Sequence, residues 1–93
     1  MVNVHLVLYV FPREKASTST SGPRVGFSVS KKLGSAVQRN KIKRRMRAAI
    51  VPYLQQIGQD VDVIFIARQK IKGIPFSNVE KSMGVLLKKA GLI

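Results

Sequence analysis

The sequence predicts a single small α+β domain in which helices pack on one sheet. Three runs of strand length, near residues 3–11, 24–30 and 61–67, are rich in β-branched and aromatic residues. Two segments, near residues 36–50 and 78–90, carry apolar residues at the spacing of a helix. A chain of 93 residues has room for one core. Because a helix joins the second and third strands, we expect these two strands to be parallel.

The first predicted strand, near residues 3–11, is largely apolar on both faces, so we expect both faces to be at least partly covered. Tyr9 in this strand has two interpretations. It is either a core residue with its hydroxyl at the edge or a surface on which a nucleobase stacks. The residues alone favour the core.

The second predicted strand, near residues 24–30, alternates large apolar side chains with small ones. Val25, Phe27 and Val29 are predicted to face the core. The opposite face, made of glycine and serines, would let a ligand approach the backbone, although an open solvent face explains it equally well. The small-residue stretch 16–23 before this strand is predicted to be a mobile loop.

The most basic stretch, Lys31 to Arg47, holds 8 of the 17 lysines and arginines and no acid. One stripe of its helical half is apolar and would face the core: Ile42, Met46, Ala49 and Ile50. Arg39 lies at the border of that stripe. The rest of the circumference is polar and basic, with Asn40, Lys41, Lys43, Arg44, Arg45 and Arg47.

The turn into this helix is predicted at Gly34 and Ser35, with the Ser35 hydroxyl as the N-cap. Free backbone amides at a helix start attract phosphate. Lys31 and Lys32 come shortly before the turn. These two lysines and the helix start would therefore grip one nucleic-acid backbone segment together.

The charge balance predicts a polyanionic partner, because the formal net charge is +13. Cations this dense repel one another unless an anion lies against them, and a merely solvated face normally mixes charges of both signs. An anionic membrane is the other candidate partner, but the basic helix has no Trp or Phe on its apolar side. With no membrane-length apolar run and no cysteine, we expect a cytoplasmic protein that binds RNA or DNA.

Four local sequence patterns predict where helices and strands begin and end in the second half of the chain. Pro52 predicts a stop or kink near Ile50, followed by a short helical segment. Residues 61–67 are predicted to form a buried strand. The segment Ser77–Glu80 has the pattern of a capping box for the last helix. Gly91 is predicted to end that helix.

No catalytic group is predicted from these residues. The chain has no cysteine, its only histidine lies in a predicted strand, and its four acids are scattered singly. No glycine-rich phosphate loop is present. We therefore expect no catalytic side chain and no metal site in the protein, so that any chemistry comes from a partner or from bound metal ions.

The segment RVGFSVSKKLGSAVQRNKIKRRMR, residues 24–47, resembles the signature of the protein subunit family of bacterial ribonuclease P. In that family a GFSVSKK-like strand end leads into a helix with the pattern G-x-A-V-x-R-N-x-x-K-R. The matching positions here are 26–32, Gly34, Ala36, Val37, Arg39, Asn40, Lys43 and Arg44. The segments LVLYV, DVIFIAR and LLKKAGL also look like the family, so the resemblance covers nearly the whole chain in order.

The resemblance implies a function and a set of partners. The family's catalyst is a large RNA that uses Mg²⁺ to remove the 5′ leader of precursor tRNA, and no organic cofactor is implied. The protein binds that RNA through the RN-containing helix and contacts the leader across its sheet. The candidate RNA-binding residues are Lys31, Lys32, Arg39, Asn40, Lys41, Lys43, Arg44, Arg45 and Arg47. The candidate leader-binding residues are Tyr9, Ser28, Ser30, Lys31 and Arg68.

The resemblance also implies the handedness of one crossover, and the sequence departs from the family pattern in two places. It implies a left-handed β-α-β crossover of the ribosomal protein S5 domain 2-like type, against the general preference for right-handed crossovers. Lys41 stands where the family motif often has arginine, which keeps the charge but loses the two-pronged phosphate geometry. The family usually has a further helix and short strand before LVLYV, whereas this sequence begins almost on that strand. We therefore expect a truncated or misassigned start, or half a leader cleft.

Two other functions fit parts of the sequence. A structural RNA-binding protein of the ribosome, or of ribosome assembly, would have the same composition and basic helix, and only the order of the motifs decides against it. A DNA-binding protein with the basic helix in a major groove fits less well. No helix-turn-helix pairing precedes that helix; a strand does.

Overall fold

The computed structural model describes residues 1–12 and 22–93. Its elements in chain order are β1 (Leu6–Pro12), β2 (Arg24–Ser28), α1 (Ala36–Leu54), β3 (Val61–Ala67) and α2 (Phe76–Lys89). Short 3-10 turns cover Lys31–Leu33 and Gln69–Ile71. The predicted α+β class and element order are confirmed. The loop predicted over 16–23 lies almost wholly outside the described residues.

The described strands form one sheet in the order β1-β3-β2. β1 pairs with β3 antiparallel, and β2 pairs with β3 parallel, which confirms the predicted parallel pair. α1 is the crossover between the two parallel strands. Its left-handedness stays a prediction implied by the resemblance. At the centre of the sheet, Tyr9 and Gly26 lie on either side of Ile64.

One face of the sheet is buried under the helices. Along β3 the side chains alternate between buried and half-buried, and the buried Phe65 has Leu8 and Phe27 as its strand neighbours. The rings of Phe27 and Phe65 stack with centroids 6.3 Å apart. Val29 is buried, whereas Val25 and Phe27 are half-buried and pack against the core. The predicted core face of the second strand is therefore confirmed.

Each of the first two strands is shorter at one end than predicted. β1 begins at Leu6 rather than Asn3, because the Asn3 side-chain oxygen accepts hydrogen bonds from the backbone N–H groups of His5 (3.0 Å) and Leu6 (2.9 Å). This turn brings the first residues back alongside β1. β2 ends at Ser28 rather than Ser30, because the Ser30 carbonyl accepts from the Leu33 N–H (3.1 Å) and starts the 3-10 turn.

Of the stop or kink predicted near Ile50, the stop is wrong, because α1 continues through Pro52 to Leu54, and the kink stays a prediction. Pro52 lies in the last turn, where only one intrahelical N–H bond is lost. Buried residues flank it, with Ile50 on one side and Ile57 on the other. Next to Pro52, the hydroxyl of Tyr53 donates to the Glu80 carbonyl of α2 (2.8 Å). Packing against α2 therefore stabilises the final turn.

The capping box predicted over Ser77–Glu80 is also wrong. α2 begins at Phe76 with Pro75 as its N-cap, and no side chain caps it. The Pro75 carbonyl accepts from the N–H groups of Asn78 (3.0 Å) and Val79 (3.4 Å), so the helix starts before Ser77 can cap it. The end was predicted correctly. Gly91 has a φ of 76°, and its N–H donates to the Lys88 carbonyl (3.0 Å), as in a Schellman motif.

In the contact between the two helices, Tyr53 of α1 meets Gly84 of α2. A Cβ added at Gly84 would lie 2.5 Å from the Tyr53 hydroxyl oxygen and 2.9 Å from the ring carbon that bears it. The ring is held by its bond to Glu80 and has little freedom to move aside. Burial raises the pKa of Tyr53, and the nearby Glu80 charge adds to this. Glycine is required here by space rather than by backbone conformation.

We predict that Gly84→Ala lowers the free energy of unfolding by about 1–3 kcal/mol, because the methyl group overpacks the contact. In a Tyr53→Ala background the same substitution should raise it by about 1 kcal/mol, because alanine is the better helix former. Urea denaturation of the four chains measures both effects. A stabilising Gly84→Ala in the unchanged background would contradict the contact described here.

Candidate nucleic-acid interface

The start of α1 is fixed by its own sequence. The Ser35 hydroxyl accepts from the Gln38 N–H (3.3 Å), and the Gln38 side-chain oxygen accepts from the Ser35 N–H (3.1 Å), which makes a reciprocal capping box. The predicted N-cap is confirmed. Leu33 is buried and anchors the preceding turn, so the exposed Lys31 and Lys32 lie close to the helix start. The structure thus brings these lysines and the free first-turn amides together.

The remaining predicted RNA-binding residues belong to α1 and are spread around its circumference. The predicted apolar stripe is confirmed, with Met46, Ala49 and Ile50 buried and Ile42 half-buried against them. Outside the stripe the exposed polar residues are Asn40, Lys41, Arg44 and Arg47, and the half-buried ones are Arg39, Lys43 and Arg45. Within the described part of the chain, none of these cations lies in an ion pair. Their charge is therefore uncompensated by any side chain that the structure describes.

The outward side of α1 has a shallow depression of about 390 Å³. Its lining residues are Val37, Asn40, Lys43, Arg44 and Arg47. This lining suits a phosphate backbone. The side-chain amide of Asn40 supplies directed hydrogen bonds, and the three cationic side chains supply charge.

Arg39 differs from the other arginines of the helix. Its Nε atom is buried and has no hydrogen-bond partner among the described residues. A buried donor without a partner costs about 1–3 kcal/mol of stability. Arg39 therefore lies at the edge of the core with one donor that no described residue satisfies.

None of the helices and strands described above covers the sheet face opposite α1 and α2, which we call the open face. Its central rows, read from β1 through β3 to β2, are Val7–Ile66–Ser28 and Tyr9–Ile64–Gly26. The Tyr9 side chain is 50% exposed, so the interpretation of Tyr9 as a core residue is wrong. The physical reason is that no described element packs on this face of the edge strand. Val7 on the same face is half-buried, in keeping with the expectation that both faces of the first strand are at least partly covered.

Phe11 is a second aromatic residue on the open face, and the candidate set did not contain it. It is 49% exposed, and its ring stacks on that of Tyr9 with centroids 6.5 Å apart. The sequence alone could have placed Phe11 beside Tyr9, because residues two apart in a strand lie on the same side of it. Together the two rings make an exposed apolar platform, which we call the aromatic platform.

The other predicted leader-binding residues lie toward one edge of the sheet. β2 and β3 are parallel, so their carboxyl ends share that edge, with the exposed Ser28, Ser30 and Lys31 after β2 and Arg68 after β3. The Arg68 guanidinium donates to the Asn3 carbonyl (2.8 Å), which holds its side chain at the N-terminal turn. The aromatic platform lies on the same face of the sheet but toward its other end, because Tyr9 pairs with Ile64 and Phe11 with Asp62.

The opposite end of the open face carries an ion pair. Arg24 donates to both carboxylate oxygens of Asp62, at 2.9 Å and 3.1 Å. That hydrogen bond and the charge of Asp62 raise the pKa of Arg24. Asp60 accepts a hydrogen bond from the Gly22 N–H. No three metal-ligating side chains cluster anywhere in residues 1–12 and 22–93, and no helix in these ranges is long and apolar enough to span a bilayer.

A model of the ribonuclease P family matches residues 1–91. The chain belongs to the ribonuclease P protein family. It is 40% identical over 93 residues to the ribonuclease P protein component of Shouchella clausii, covering all of this chain and 73% of that protein. It is 39% identical to the Streptococcus agalactiae protein of the same name, covering all of this chain and 80% of that one.

Solved structures of ribonuclease P proteins have the same fold. The protein from Staphylococcus aureus superposes with a TM-score of 0.83 at 36% identity, covering 99% of this chain and 80% of that one. The protein from Thermotoga maritima superposes with a TM-score of 0.80 at 26% identity, covering 96% and 80%. The predicted role, an accessory protein of the endoribonuclease that processes tRNA 5′ ends, is confirmed by this membership. No finding favours the ribosomal alternative.

We predict that Arg39→Met separates stability from RNA binding in this ribonuclease P protein. Methionine keeps an apolar stem and removes the unpaired Nε, so the free energy of unfolding should stay constant or rise by about 1 kcal/mol. Affinity for ribonuclease P RNA should fall, with the log-affinity against log-salt slope flatter by about 0.7–0.9. Urea denaturation and filter binding measure the two effects.

Arg47→Met is the matched control, because Arg47 is exposed and has no buried donor. It should weaken binding without raising stability. A clear loss of stability in Arg39→Met would show that Arg39 has a structural role.

Proposed function

We propose that the protein holds the RNA of ribonuclease P on α1 and the 5′ leader of precursor tRNA on the open face of its sheet. One observation supports this division above the others. The uncompensated cations and the aromatic platform lie on different elements, with the cations around α1 and the platform on β1. Each surface suits a different form of RNA.

The surface of α1 suits structured RNA. Folded RNA presents phosphates along its helices, and its narrow major groove admits no side chain, so recognition relies on backbone contacts. The helix offers flexible lysines, directed arginines and Asn40 at the centre of the outward depression. Lys31, Lys32 and the capped helix start extend this surface by one more phosphate site.

The open sheet face suits a single strand. Unpaired bases stack on exposed aromatic rings, and Tyr9 and Phe11 present two such rings side by side. Ser28 and Ser30 offer hydroxyl groups that pair with 2′-hydroxyls or bases, and Lys31 and Arg68 lie at the edge where the sugar-phosphate chain would leave. A leader has no partner strand, so its bases are free to use this surface.

The protein's contribution to cleavage under this proposal is electrostatic and positional. The catalytic RNA and precursor tRNA are both polyanions and repel each other, and a domain with a net charge of +13 lowers that repulsion when it contacts both. Fixing the leader beside the RNA also reduces the entropy lost on reaching the reactive geometry. This function places the protein in the cytoplasm with its RNA.

Mg²⁺ is the metal that the family implies, and the described residues do not suit it. Asp62 is occupied by Arg24, and Asp60 accepts from the Gly22 backbone, so the two acids at the start of β3 are already engaged. Mg²⁺ prefers oxygen ligands shared with phosphates. We therefore propose that the ion is held mainly by the RNA and assign no step at the metal to a protein side chain.

Reconstitution tests the proposed function. The isolated protein should not cleave precursor tRNA, because it offers no general acid, base or metal cluster within its described residues. The cognate RNA subunit and Mg²⁺ together should restore cleavage at the 5′ end when the protein is added at low concentration. Cleavage by RNA-free, nuclease-free protein would refute the division of labour.

We predict that Tyr9→Ala with Phe11→Ala lowers the affinity of the reconstituted enzyme for precursor tRNA and leaves its affinity for mature tRNA unchanged. Base–aromatic stacking contributes about 1–3 kcal/mol per base, so the loss should be about tenfold or more. Equilibrium binding to both tRNAs measures the difference.

Phe76→Ala is the control, because it removes a partly exposed aromatic residue from α2 rather than from the sheet. It should leave the preference for precursor over mature tRNA intact. Equal losses for precursor and mature tRNA in the double variant would mean that the aromatic platform does not contact the leader.

A further inference from the structure

α1 lines a second basic surface besides the outward depression. A groove of about 190 Å³ lies between the side of α1 and the segment Ile71–Gly73, which precedes α2. Lys41 and Arg45 line its helix wall, and Lys72 lines the opposite wall. Ile42 and Ile71 also line it and supply its apolar part. Residues far apart in sequence therefore form a two-walled basic groove.

Helix geometry separates this groove from the outward depression. At about 100° per residue, Lys41 and Arg45 project about 100° and 140° around the axis from Asn40, whereas Arg44 and Arg47 lie within about 40° of it. The two basic surfaces therefore point in different directions. A single phosphate chain that follows the outward depression does not enter the groove, so the groove requires a separate segment of ligand.

The lining of the groove indicates the chemistry of its ligand. Ile71 is 3% exposed and fixed in the core, and Ile42 is half-buried, so the apolar part is rigid. Three cations surround it, and no acid lines it. The volume is below the roughly 300 Å³ at which sites for drug-sized ligands begin. A flat apolar group with phosphates attached, which is a single nucleotide, matches this combination of size, apolar surface and charge.

We propose that the groove binds one unpaired nucleotide of the ribonuclease P RNA, with its base against Ile42 and Ile71 and its phosphates between Arg45 and Lys72. The nucleotide is unpaired because a base within a duplex is stacked on both faces and cannot lie on a protein surface. α1 then contacts two segments of the RNA, a helical one on its outward side and a looped-out one in the groove. This inference rests on the proposed function.

The decisive residue is Lys72, because it belongs to the wall that the basic helix does not supply. Lys72→Ala should flatten the log-affinity against log-salt slope by about 0.7–0.9, which amounts to about a sixfold loss at 0.1 M relative to 1 M salt. Lys72→Arg should restore the slope. Lys88→Ala is the matched control, since it removes one exposed lysine from the far end of α2 and should leave the slope unchanged.

Acylation of 2′-hydroxyl groups, which reports flexible and unpaired nucleotides, tests the position of the base. The probe is the cognate ribonuclease P RNA, free and saturated with each variant. The intact protein should protect one unpaired nucleotide that becomes reactive again with Lys72→Ala, while the protections of the helical segment remain. With Lys72→Arg and Lys88→Ala, that nucleotide should stay protected.

Two results overturn the inference in distinguishable ways. If the intact protein binds the RNA but Lys72→Ala matches Lys88→Ala in slope and in protections, the groove is not a binding site and the proposed function stands. If the intact protein does not bind the RNA at all, the proposed function fails and the groove assignment fails with it.

Discussion

The structure depends on one constraint, which is that α1 must bury one side and leave every other side cationic. Met46, Ala49 and Ile50 form a narrow buried stripe, and the remaining circumference carries charge with no acid to compensate it. Such a helix is unfavourable in isolation, because like charges repel along its length. Burial of the stripe, the Ser35 cap and the contact between Tyr53 and α2 hold it in place. Under the proposed function, RNA phosphates that lie against the helix would relieve the repulsion that remains.

The sheet is built with the same asymmetry between a structural side and a functional one. β3 is the central strand, and its buried side chains alternate with half-buried ones that face outward. One face closes the core with Leu8, Phe27 and Phe65, and the other leaves the aromatic platform open to solvent. An exposed apolar surface of this kind lowers solubility unless it has a partner. Under the proposed function that partner is a single-stranded leader, which would use both the aromatic and the polar residues of this face.

These two surfaces explain how a small domain without catalytic groups takes part in an enzyme. Within its described residues no cluster of acids or histidines offers acid–base or metal chemistry. What the domain does offer is charge, shape and a fixed distance between the cationic surface of α1 and the aromatic platform.

Sequence alone determined the features that depend on local spacing: the α+β class, the parallel pair, the stripe of α1, the Ser35 cap and the helix end at Gly91. The family membership also followed from it, because a contiguous motif carries that information. Sequence misplaced the features that depend on distant residues. α1 passes Pro52 because α2 stabilises its last turn, and α2 starts before Ser77 because the chain enters it at Pro75. Alternation placed Tyr9 and Phe11 on one face, but only the packing shows that this face is uncovered. Lys72 lies 27 residues after Arg45, and no periodicity links them; tertiary structure alone decided that they form opposite walls of one groove.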